Sequence, residues 1–346
     1  MKNIFYCIFL FSLLTGCIDK IELKEANVPR KLIVDGTVTN YPGPYFVTLS
    51  YSEPFNSIKI TELISGATVT ISDNLGNVFP LSAFTNGVYK TDSASFRGMV
   101  GRSYSVNIKT LDGKQYKSKP EPILPPVPID SISSRFVPGQ IRTASFEVSV
   151  KVSDPSVSKN YYRWKWRNYD TIEICRISRV KNDAGRFIYL SPCCQKCWQI
   201  TTCYGCLALF SDDLINGKSF TQKIANIPYD NYYDYYILID QYSISKENYN
   251  YWNLVQGQIS NSGGIFDNTH AFIEGNVYNI NDPNEQVLGI FKVMGASKKI
   301  TYIQRTVKGI VPYIPPPLTG TVITLRDCQP CSGDTRTPIK PEGWRG

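Results

Sequence analysis

Between Lys31 and Ser118 apolar residues recur at every second position in short runs, and each run stops at a cluster of Gly, Pro, Asn or Asp. No other feature constrains the fold as much. A period of two puts alternate side chains on one face of a strand, whereas a helix needs a period near 3.6. The runs are Leu32-Ile-Val-Asp-Gly-Thr-Val-Thr39, Tyr45 to Tyr51, Gly66 to Asp73, Val78-Phe79, Gly87 to Lys90, Tyr104 to Lys109 and Gln115 to Ser118. Asn40-Tyr-Pro-Gly-Pro44, Asp73-Asn-Leu-Gly-Asn77 and Asp112-Gly113 are turn signals between them. Short strands with turns about every ten residues predict a β-sandwich over 31–119.

Gly66-Ala-Thr-Val-Thr-Ile71 resembles a strand of the Ig-like and transthyretin-like modules of bacterial surface proteins, a likeness of fold alone. Pro120-Glu-Pro-Ile-Leu-Pro-Pro-Val-Pro128 marks a boundary, because its prolines favour a stiff extended linker over 120–128 and exclude central-strand pairing. A second β-rich domain is expected over 129–325. It opens with Ala144 to Val152, where Phe146, Val148, Val150 and Val152 would share one face, and continues through Tyr161 to Trp166. Val287 to Val293 and Ile300 to Gln304 read as two further strands. One amphipathic helix is predicted, Lys246 to Ile259, with Ser245 as N-cap and Tyr249, Trp252, Val255 and Ile259 as its packing stripe. The expected class is mainly β: an N-terminal sandwich, then a β-rich domain with one helix and an irregular tail over 326–346.

The first sixteen residues have the form of a secretory signal: Lys2, an apolar run from Ile4 to Leu14, and small residues at the end. That run falls short of the roughly 20 apolar residues that span a bilayer. Leu14-Thr-Gly-Cys17 looks like a bacterial lipobox, so Cys17 is expected to carry the lipid, palmitate among its acyl chains, with 17–30 as a tether. The net charge of +8 is spread along the chain without a basic stripe, which argues for a solvated surface and against nucleic acid as a partner. Tyrosine-rich stretches such as Tyr229 to Tyr236 suit strands and contact surfaces.

Eight cysteines remain beyond Cys7 and Cys17: Cys175, Cys193, Cys194, Cys197, Cys203, Cys206, Cys328 and Cys331. An even count in an exported chain reads first as disulfides. The C-x-x-C pairs 194/197, 203/206 and 328/331 leave structural zinc as the alternative, with a redox pair third. At least one bridge is expected to pin the 328–331 tail to the 175–206 loop, since the tail has little periodic apolar content with which to bury itself. Adjacent Cys193 and Cys194 should reach separate partners.

No H-E-x-x-H, G-x-S-x-G, P-loop or dinucleotide fingerprint is present, and the single histidine, His270, stands without a second. No catalytic residue and no cofactor is therefore expected. The lipobox, Leu32 to Gly36, Asn160-Tyr-Tyr-Arg-Trp164, Gln241 to Ser245, Tyr249-Asn-Tyr-Trp252, Gly263 to Asp267, Gly275-Asn276, Leu288 to Phe291 and Asp327-Cys328 follow one another in a distinctive order. Together they resemble the Bacteroidota outer-membrane lipoproteins of domain of unknown function 4249. That resemblance implies a TonB-dependent transporter, an outer-membrane β-barrel, as partner. The expected function is a lipid-anchored outer-membrane accessory or substrate-capture subunit on the cell-surface face. A surface hydrolase of glycans or peptides and a stand-alone nutrient-binding lipoprotein are the alternatives.

Overall fold

The computed structural model describes residues 30–53, 61–139, 143–175, 178–181, 183–190, 194–203, 205–230, 232–260, 272–312, 331, 333 and 335–345. The leader over 1–16 and all but the last residue of the tether lie outside them. The first half holds β1 (Leu32–Thr39), β2 (Phe46–Tyr51), β3 (Thr68–Asp73), β4 (Val78–Thr85), β5 (Val88–Thr91), β6 (Ser103–Lys109), β7 (Gln115–Ser118) and β8 (Glu121–Pro122). Next come β9 (Ser131–Val137), β10 (Ser145–Ser153), β11 (Tyr161–Cys175), β12 (Ser178–Lys181), β13 (Phe187–Leu190), β14 (Cys194–Thr202) and β15 (Ala208–Ser211). β16 (Ser219–Pro228), β17 (Tyr235–Ile244), helix α1 (Lys246–Ser260), β18 (Val277–Asn279), β19 (Leu288–Ile303) and β20 (Arg336–Thr337) complete the chain. The fold is mainly β, as the alternating pattern requires.

A single path of paired strands, β18-β7-β6-β3-β4-β5-β2-β1-β19-β17-β11-β14-β20, runs through both halves. In the first half the path curls on itself. Val34, Val38, Val47 and Leu49 of β1 and β2 pack in one cluster with Val69, Ile71, Val106 and Ile108 of β3 and β6. Each is a period-two inward position, and full burial of such a side chain is worth about 1.5–3 kcal/mol. Val277, Val287, Phe291 and Val293 complete this core, so it draws on chain from both sides of the Pro-rich connector.

β19 joins the halves. Its first part lies parallel to β1, pairing Gly36 with Phe291 and Val38 with Val293. Its second part runs antiparallel to β17 from Gly295↔Ser243 to Ile303↔Tyr235. The two strands expected over 287–304 are thus one. Ser297-Lys298-Lys299 breaks the apolar alternation and suggests a gap, but Ser297 and Lys299 donate to carbonyls of Val127, Ile129 and Asp130 and stay in the sheet. The connector is a packed strap: Ile123 is buried in the first core and Val127 in the second.

Phe146, Val148, Val150 and Val152 share one buried face, as predicted. With Ile224 and Ile227 they lay the sheet β16-β10-β9 over one side of β11, β17 and β19, against Trp164, Ile237 and Ile239. The other side carries α1. Ser245 caps it, its Oγ accepting from the Asn248 N–H at 3.1 Å. Its contact face differs from the expected stripe: Tyr249 meets Tyr161 and Trp252 lies on Arg163, but Ile259 is 58% exposed and Asn248 is the buried residue. The first turns of the helix lie over the sheet, while Leu254 and Ile259 further along stay exposed, so apolar periodicity near its end does not mark a buried stripe.

Candidate functional site

Three segments meet where the halves join. β8 brings Glu121 out of the connector and pairs with β6 through Ser103 and Tyr104. Ser245 opens α1, and Gly275-Asn276 runs in beside β19. That approach is close: a Cβ on Gly275 would lie 1.7 Å from the Gly289 carbonyl oxygen, and one on Gly289, at φ +82°, would lie 2.1 Å from that of Val34. Only glycine lets the three backbones stack this way.

Asn276, 7% exposed, acts as a substitute strand neighbour for β19. Its Nδ2 donates to the Phe291 carbonyl at 2.8 Å and its Oδ1 accepts from the Phe291 N–H at 2.9 Å. The same Nδ2 donates to Glu121 Oε1 at 3.0 Å, and Ser245 Oγ donates to Glu121 Oε2 at 3.3 Å. Glu121 is 5% exposed, and this burial pushes its carboxyl up to about 7. The bonds from Asn276 and Ser245 act in the opposite direction, and the charge of Glu247 adds to the rise. Asn248 is fully buried and its amide lies near enough to favour the carboxylate, yet neither amide atom reaches a partner in hydrogen-bond geometry.

A cleft of about 500 Å³ opens around this carboxyl, lined also by Lys119, Glu247, Tyr251, Glu274 and Ile290. Three carboxyl groups and one lysine give it an acidic lining. With both Glu121 oxygens engaged by Asn276 and Ser245, the acidic lining left to a ligand is that of Glu247 and Glu274, which suits amine, hydroxyl or amide groups.

The family model described as Domain of unknown function (DUF4249) matches residues 18–300. The chain belongs to the DUF4249 family. No curated protein matches it. The DUF4249 match spans every residue of the cleft, and it ends before the tail.

Three of the sequence segments that pointed to DUF4249 meet in space, whereas the lipobox, Gly263–Asp267 and Asp327-Cys328 lie outside the described residues. Leu32–Gly36, Gly275-Asn276 and Leu288–Phe291 build the joint. Gln241 accepts from Trp164 Nε1 at 2.8 Å and donates to the Val127 carbonyl at 2.8 Å, tying β17, β11 and the connector.

Of the cysteines, Cys197 is bonded to Cys331, which pins the tail to the 175–206 loop across 134 residues. Cys203 and Cys206 are bonded to each other. Cys175 is the register partner of Cys194. Cys17, Cys193, Cys328 and His270 lie outside the described residues. The tail is not held by the bridge alone: Trp344 packs against Tyr236, Tyr302 and Trp198. The Trp344 ring and the pairing of β20 with β14 anchor a segment that has no apolar period, which is why periodicity misses it. Glu121 and Asn276 were likewise absent from the expected site. The available signal for Glu121 was a lone charge between prolines in an otherwise apolar connector.

Proposed function

We propose that this DUF4249 chain is a non-enzymatic capture or accessory subunit, lipid-anchored through Cys17 on the outer face of the outer membrane and working beside a TonB-dependent β-barrel transporter. The cleft at the joint is the observation that carries the reading: about 500 Å³, floored by one strand common to both halves and lined from each. Pockets of this size hold small ligands. The lipobox and the family resemblance supply the anchor and the partner. Gentle-detergent purification from native membranes tests it. A barrel protein should accompany the chain in fixed ratio, and recovery of the chain alone would count against the partnership.

A second reading, a hydrolase of surface glycans or peptides, has one point in its favour. Glu121, raised to about 7, shares the cleft with Glu247 and Glu274, and a raised carboxyl beside further carboxyl groups is what acid–base hydrolysis uses. Against it, both Glu121 oxygens are engaged by Asn276 and Ser245, which fits a positioning role better. Loss of any glycan- or peptide-cleaving activity in Glu247→Gln and Glu274→Gln variants would favour the hydrolase.

A further inference from the structure

On the side of the central sheet that carries α1, the alternate residues of β11 are Arg163, Lys165 and Arg167. Arg167 pairs with Asp240 of β17 at 2.8 Å, and Lys292 of β19 pairs with Asp35 of β1. Lys298, further along β19, pairs with Glu342 of the tail. Arg163 and Lys165 have no carboxylate partner among the described residues. Helix α1 lies at one end of this side, over Tyr161 and Arg163, and the Trp344 segment at the other, against Tyr236 and Tyr302, with Lys165 on the strand between them.

We propose that Arg163 and Lys165 bind an oxyanion, the carboxylate or phosphate group of a small ligand, on the sheet face between α1 and the C-terminal tail. Three observations carry this. Arg163 is 4% exposed, its Nε meets no acceptor among the described residues, and its guanidinium lies 3.6 Å from the centre of the Trp252 ring. The ring offsets part of the cost of burying a cation, but burial without a counter-charge is unfavourable unless one arrives. Lys165 keeps contact with solvent, and partial loss of water together with the charges of Arg163 and Lys292 brings its ammonium down to about 8. Asp35 and Asp240 pull the other way, but each already serves another cation. Neutral donors are also at hand. The charges of Asp240 and Arg167 act on Tyr41, whose buried hydroxyl has no partner among the described residues, and Tyr242 and Tyr251 both lie within the field of Arg163. A site with surplus cations, an unfilled guanidinium and tyrosine hydroxyls is short of one anion.

This inference goes beyond the capture reading, since anion binding by the isolated chain needs neither the lipid anchor nor a barrel. Titration calorimetry of the full mature chain with inorganic phosphate and, separately, with acetate tests it at pH 6.5 and pH 9. The expected result is saturable binding of at least one probe at a single site, weaker at pH 9 where Lys165 is discharged. Tighter binding of phosphate or of acetate then tells which group the ligand carries. Lys165→Gln, an exposed position, should weaken binding at least tenfold, whereas Lys298→Gln, already paired with Glu342, should leave it within twofold. Should Lys165→Gln fold poorly, protection of the wild-type Lys165 amine from acetylation by the bound probe gives the same answer. Absence of saturable binding by both probes, or equal binding by Lys165→Gln, overturns the proposal.

Discussion

Replacing Glu121 by Gln should make the chain more stable at pH 8 and abolish most of the pH dependence of its stability between pH 5 and 8. Glu121 is buried and its carboxyl lies near 7, against 4.5 for a free glutamate. The folded chain therefore holds the proton more tightly than the unfolded one. Its favourable share is fully present below 4.5 and is lost as pH rises to about 7. Above that, folding bears the whole cost of an ionised buried carboxyl, on the order of 3 kcal/mol for a shift of this size. A glutamine keeps the local bonds. Its Oε1 can accept from Asn276 Nδ2, and its Nε2 can donate to Ser245 Oγ, which already accepts from the Asn248 N–H. Urea unfolding at pH 5, 6, 7 and 8 is the assay. The wild type should lose about 2–3 kcal/mol over that range, and Glu121→Gln less than about 1. Parallel pH profiles for the two proteins would refute the reasoning, because the titrating group would then lie elsewhere.

Other outcomes follow from the same geometry. Cys331→Ser opens a loop of 134 residues and should cost up to about 5 kcal/mol on the chain-entropy model, read as a lower Tm, with the Trp344 contacts retaining part of the tail's order. Peptide mapping without reduction should recover Cys197–Cys331 and Cys203–Cys206 as linked pairs. Gly289→Ala places a Cβ against the Val34 carbonyl at a positive φ and should cost about 2–4 kcal/mol in urea unfolding. Ser245→Ala removes both the helix cap and a donor to Glu121, and a loss of about 1–2 kcal/mol is expected.

What the sequence makes legible here is local. β1 falls on Leu32–Thr39 because Leu32, Val34 and Val38 stand at even spacings that put them on one buried face, and β10 is legible through Phe146 to Val152, which alternate with polar residues. Ser245 announces the helix start by its chemistry. The joint is not legible, because it depends on pairing across more than 250 residues: Gly36 with Phe291, and Lys292 with Asp35. Glycines 275 and 289 are visible only as possible turns until the backbone they must clear is known. The cleft is hidden for a related reason. Glu121 becomes a buried acid only because a residue from the helix start and an asparagine far along the chain enclose it. The bridge from the tail to the 175–206 loop was readable as a class of connection, but Cys197 and Cys331 could be singled out only once β14 and the tail were placed.

The central claim, a lipid-anchored subunit that presents its joint cleft to a barrel transporter, is tested most directly in intact cells. A membrane-impermeant amine crosslinker applied from outside should react at Lys119, which lines the cleft, and at Lys246, the first residue of α1; both are exposed. Mass spectrometry of the crosslinked peptides should join these lysines to extracellular loops of one outer-membrane barrel. Lysines that stay unlabelled until the cells are lysed, or that link only within the chain, would contradict the account.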